Sequence, residues 1–163
     1  MKDATKIIKK VMPTVVSVII SKSLEEIEKE LPSELMPLFP FGVPEIKIPD
    51  DKIDAHGMVQ VGGGSGFIVS VDGVILTNKH VIAEPNAQYT VMTSDGKKYP
   101  AEILARDPLE DIAILKIKGT RLPAAKLGDS AKIDLGQDVL AIGNSLGVFQ
   151  NTVSAGIISG MLR

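Results

Sequence analysis

The chain has 163 residues, which suits one domain, with room for the beginning of a second. Hydrophobic residues make up 44%, charged residues 23% and the net charge is −2, an ordinary globular balance in which nothing points to nucleic acid or an anionic membrane as partner. With no cysteine and only His56 and His80, the chain lacks a disulfide framework, a thiolate metal site and a cysteine nucleophile, and it offers little material for any metal or cofactor site.

Asp3 is a plausible N-cap for a short helix to about Val11, with Ile7, Ile8 and Val11 on one face. Pro13 ends it, and Thr14 to Ser21 reads as a strand apolar enough for burial on both faces. The longest early apolar run, Val15 to Ile20, is too short to span a membrane, and the charged residues after Met1 do not read as a signal peptide. Ser23 to Glu26 fits a capping box and opens an acidic helix to about Leu31. Five prolines between Pro32 and Pro49 then make regular structure improbable. Lys22 to Met58 reads as a long excursion. Its Met36, Leu38, Phe39 and Phe41 suit docking on something such as a neighbouring subunit, and a disordered loop is the plain alternative. His56 lies in it without an assigned role.

From Gly62 to Ala83 the residues are GGGSGFIVSVDGVILTNKHVIA, around which the remainder is organised. Phe67-Ile68-Val69 and Val74-Ile75-Leu76 are strand-like, with a turn at Val71-Asp72-Gly73. Gln88 to Thr93 and Lys97 to Arg106 form a hairpin about Ser94-Asp95-Gly96, and Asp107-Pro108 breaks it. Asp111 to Ile117 is the next strand. Gly128-Asp129-Ser130 turns, and Asp138 to Ile142 and Thr152 to Ser159 are the last strands. Short strands at regular spacing indicate an antiparallel barrel or sandwich.

His80 follows a buried strand, where a scaffold holds it as a general base requires; the plain alternative is a loop or core histidine. Asp111 comes thirty-one residues later and could orient it, fixing the tautomer through Nδ1 and stabilising the imidazolium. Asp107 and Glu110 compete for that role. Asp111 is preferred because it leads directly into the apolar strand, where its charge would be held partly out of water. Otherwise it simply marks a strand start.

The runs Gly64 to Ile68, Leu76 to Val81, Asp111 to Lys116, Ala141 to Asn144 and Thr152 to Ser159 resemble, in order and spacing, the HtrA/Deg family of trypsin-like serine proteases. The stretch Val11 to Ile20 is similar to that family's first strand. The resemblance implies an all-β fold of trypsin-like antiparallel β-barrels with a short N-terminal helix. The first barrel would be complete and the second only begun. It divides the chain into 1–21 (helix and first strand), 22–58 (Pro-rich variable loop), 59–135 (first barrel) and 136–163 (start of the second). It makes His80 the general base and Asp111 its orienting acid. It also implies ATP-independent endoproteolysis of unfolded or damaged proteins, in trimer-based homo-oligomers, in the periplasm or otherwise outside the cytoplasm, without metal or nucleic acid.

The family's nucleophile run, Gly-Asn-Ser-Gly-Gly-Pro, does not occur before Arg163, and the oxyanion hole, the substrate pocket and any PDZ domain would lie beyond it. The expectation is a protease fragment that is inactive alone, with exposed strand edges from Asp138 onward that favour association. Ser145 is the decoy nucleophile. Gly143-x-Ser145-x-Gly147 matches a hydrolase elbow, but the residues after Gly147 are strand-like and include no Asp, Glu or His. An α/β-hydrolase using Ser145 would need a helix there. Ser65 is weaker still, since its run resembles a family packing motif between barrels. The competing class is a non-catalytic trypsin-like module acting in binding, as a chaperone or as a regulator.

Overall fold

The computed structural model describes residues 3–29, 53, 54, 56–145 and 149–161. The proline-rich stretch, with Met36, Leu38, Phe39 and Phe41, lies outside them, and so do residues 146–148.

Helix α1 (Ala4–Val11) begins at Asp3, but the Asp3 side chain does not cap it. Instead the Asp3 carbonyl accepts the Lys6 and Ile7 N–H groups, both at 3.1 Å. Strand β1 (Val15–Ser23) follows, then helix α2 (Leu24–Lys29), whose start is the expected one: Ser23 Oγ accepts the Glu26 N–H at 3.3 Å. Strands β2 (Met58–Ile68), β3 (Val74–Thr77), β4 (Gln88–Met92), β5 (Lys98–Arg106) and β6 (Ala113–Ile117) come next. Strands β7 (Asp138–Ser145) and β8 (Phe149–Ile157) end the series.

Strands β1 to β6 close an antiparallel barrel in the order β1-β2-β3-β6-β5-β4, so the all-β reading holds. The strand of residues 1–21 is one of its staves, paired with both β2 and β4. Alternation does the sorting. Val16, Val18, Ile68, Ile75, Val91, Leu115 and Ile117 turn inward and are fully buried, and in β3, β4 and β6 the residues between them are less buried. β1 departs from alternation as its apolar run requires. Val15 and Ser17 on its outer face are also buried, because β7 lies across that face.

β7 and β8 form a separate two-stranded sheet. Two serines of the barrel pin it. Ser65 Oγ accepts the Asn144 N–H at 2.8 Å, and Ser17 Oγ donates to the Asn144 carbonyl at 2.8 Å. Both backbone groups of a buried residue are thereby satisfied by hydroxyls from β1 and β2.

Candidate active site

His80 sits on a 3-10 turn, Lys79–Ile82, that starts where β3 ends. The turn is anchored by its second half. Val81 and Ile82 are buried in the barrel core, and Arg106 donates from its guanidinium to the Ile82 carbonyl at 3.1 Å. With residues 81 and 82 held inside, His80 must point outward, and its side chain is 71% exposed.

Asp111 meets it there. His80 Nδ1 faces Asp111 Oδ2 at 2.6 Å, and the His80 backbone N–H donates to Oδ1 at 2.9 Å. An ionised carboxylate can only accept, so Nδ1 carries the proton and Nε2 is left as the basic nitrogen. The Asp111 carboxyl is held below its usual range, first by the His80 backbone N–H, then by the imidazole, with a smaller share from Asn78. The pair is therefore an imidazole with fixed tautomer beside a carboxylate that stays ionised. Such a pair is chemically able to accept a proton at Nε2.

The reason for expecting Asp111 needs correction. β6 begins at Ala113, two residues later, and the Asp111 side chain is 49% exposed. Donors hold its charge, and burial does not. The rival Asp107 is occupied locally: its Oδ1 accepts the N–H groups of Leu109 and Glu110 at 2.9 and 2.8 Å, closing the loop that leads to Asp111. Glu110 is exposed in that loop.

Asn78 was not legible as a site residue. Its Nδ2 donates to the Asp111 carbonyl at 3.0 Å and to Oδ2 at 3.2 Å. An asparagine just past a strand reads as a turn residue, and only the tertiary fold brings it to Asp111. His56 lies in the turn before β2, its N–H donating to Asp54 Oδ1 at 2.8 Å. Ser145 ends β7, in register with Phe149 of β8. A strand comes after it, where a nucleophile elbow requires a helix.

A cleft of about 520 Å³ separates the barrel from β7. Phe67, Leu76 and Ile112 form one wall, Leu140 and Ile142 the other, and Asp111 and Asn78 lie at its edge. Among the described residues no three His, Asp or Glu side chains are grouped to hold a metal ion.

Comparison with known proteins shows the family. The trypsin-like peptidase domain family matches residues 64–163. A Pseudomonas fluorescens protein named as a DegP-like periplasmic serine endoprotease is 36% identical over 173 residues, which cover 99% of this chain and 35% of that protein. Proteins of the same name from Pseudomonas putida and Chlamydia pneumoniae are 46% and 45% identical over 100 residues, 61% of this chain and 20% of theirs. The chain spans about a third or less of the length of these relatives.

Proposed function

We infer function from one premise: the chain belongs to the trypsin-like peptidase family, and within it to the HtrA/Deg proteases. We propose that it supplies the first barrel of a protease domain that cleaves unfolded or damaged polypeptides outside the cytoplasm, in the periplasm as its relatives' names have it. The observation that carries this reading is the contact of His80 Nδ1 with Asp111 Oδ2 at 2.6 Å.

In the assembled site, a serine hydroxyl attacks the peptide carbonyl while His80 Nε2 takes its proton. Asp111 keeps the imidazole oriented and stabilises it once charged. His80 then returns the proton to the leaving amine, and water completes the second half by the same route. Backbone donors around the oxyanion contribute about a hundredfold or more each. Within these 163 residues the base and its orienting acid are present. Ser145 ends β7 and the next element is again a strand, so we assign it no nucleophilic role. The chain by itself is inactive, and the trimer-based assembly of the family completes its working form.

Incubation with unfolded casein tests this. No turnover is expected, and sustained turnover that disappears in His80→Ala would overturn the inactive reading. Labelling with a fluorophosphonate probe and mapping the peptides identifies any nucleophile. No adduct is expected. An adduct on Ser145 that is lost in His80→Ala would make this short chain a hydrolase in its own right, and turnover without His80 dependence would remove the base from the mechanism.

A further inference from the structure

Asp111 lies in a loop ahead of β6 and is half exposed, so neither strand pairing nor burial sets its carboxylate. Something else must hold it at hydrogen-bond distance from His80. We propose that Asn78 is the positioning residue for Asp111, and that through it the His80–Asp111 pair is assembled within the first barrel, without help from the β7–β8 sheet. This rests on the reading of His80 and Asp111 as base and orienting acid.

The ladder between β3 and β6 supplies the geometry. Its last rung pairs Thr77 with Ala113. Just beyond that rung the Asn78 amide takes over, bridging the main-chain carbonyl of Asp111 and its Oδ2. A donor shared between backbone and side chain of one residue restrains both the loop's path and the carboxylate's rotation. Asn78 stands at the N-cap position of the 3-10 turn, where its side chain would ordinarily satisfy a turn N–H. It makes no such bond and reaches across thirty-three residues to Asp111 instead. Oδ1 is taken by the His80 N–H. The carboxylate is thus gripped by Asn78 and His80, both on the segment that leaves β3. A route from the second sheet also exists: Asn144 binds Ser65 Oγ, and Thr77 Oγ1 donates to the Ser65 carbonyl at 2.9 Å. It ends one residue short of Asn78 and puts no donor on the carboxylate.

The experiment reads the tautomer of neutral His80 from the ¹⁵N shifts of its ring nitrogens in the full chain. His56, an exposed turn residue, is the internal reference. In the parent, His80 is expected as the Nδ1–H form. Asn78→Leu and the equal-sized Asn78→Asp, which lacks the donor, should invert the ratio toward Nε2–H, the form of a free imidazole. Asn78 is exposed, so both variants should keep the fold, and the dispersion of the amide spectrum checks this in each. Ser65→Ala should leave the ratio unchanged. A parent-like ratio in both Asn78 variants overturns the role of Asn78. A shift in Ser65→Ala overturns the independence from the second sheet. Asp111→Ala separates the two levels. If it shifts the ratio and the Asn78 variants do not, only the role of Asn78 is lost. If Asp111→Ala itself leaves the ratio unmoved, the pair is overturned as a catalytic unit, and the role of Asn78 goes with it.

Discussion

Gly64 of β2 faces Val81 so closely that a β-carbon at residue 64 would lie 2.6 Å from one valine methyl and 2.8 Å from the other. Val81 is β-branched, buried and adjacent to His80, so it has little freedom to yield. Gly64→Ala should therefore destabilise the chain by about 1–3 kcal/mol through overpacking. It should also disturb the amide resonances of Lys79–Ile82. Gly128→Ala is the control: a β-carbon at residue 128 would meet no atom within 4 Å, and a change within about 0.5 kcal/mol is expected. Urea unfolding of the two variants reads the difference, and equal midpoints would contradict the argument.

Lys22, at the end of β1, is 2% exposed, and its Nζ lies 2.6 Å from Glu84 Oε2, whose side chain is 48% exposed. The two ends of this ion pair should respond differently. Glu84→Gln leaves a buried ammonium without that counter-charge. Lys22→Met keeps the apolar stem and leaves a carboxylate that water already reaches. Glu84→Gln is expected to cost more than Lys22→Met. It should still cost less than the roughly 3–5 kcal/mol found when a fully buried pair is broken. Chemical denaturation of both variants decides the order, and the reverse order would sink the account.

The Asp95 carboxyl, in the turn between β4 and β5, is pushed down to about 2, first by the hydrogen bond from Lys97 and then by that from Thr93. Because folding lowers this pKa, the stabilisation is present above the ordinary carboxylate range and is lost as pH falls through about 2. Asp95→Asn should be less stable than the parent by a constant margin near neutrality, and the margin should close as pH falls toward about 2. Both partners are largely exposed, so salt should shrink it. Urea midpoints across the pH series measure this; a margin that stays constant down to the acid end would refute it.

The β7–β8 sheet has two strands, and Val153 and Ile157 of β8 are 37% and 58% exposed. A two-stranded unit is marginal without further packing. Amide exchange should be faster in β8 than in β1, β3 or β6, with β7 between them because β1 and β2 support it. The exposed edge also predicts association that grows with concentration. Uniform protection across β8 and the barrel in a concentration-independent monomer would be the contrary result.

The strands and turns were legible because their signals are local. Alternation in β4 and the apolar runs of β3 and β6, together with Asp72-Gly73 and Asp95-Gly96 between strands, report on neighbours along the chain. At Gly73 the signal is absolute: its φ is +95° and a β-carbon would stand 2.4 Å from the Ile117 carbonyl oxygen. His80 and Asp111 were legible through motif resemblance, although desolvation was the wrong reason for choosing Asp111 over Asp107.

What the amino-acid sequence determined by itself was the set of strands, the glycine turns and the pairing of His80 with an acid some thirty residues on. The tertiary structure alone decided which groups hold that acid, where β7 rests and which charge is buried. Asn78 meets Asp111 across 33 residues, Ser65 meets Asn144 across 79 and Ser17 meets Asn144 across 127. Hydropathy period and turn chemistry act over a few residues. Hydrogen bonds between distant segments exist only after barrel closure has brought their donors and acceptors to within about 3 Å, and so they leave no local trace.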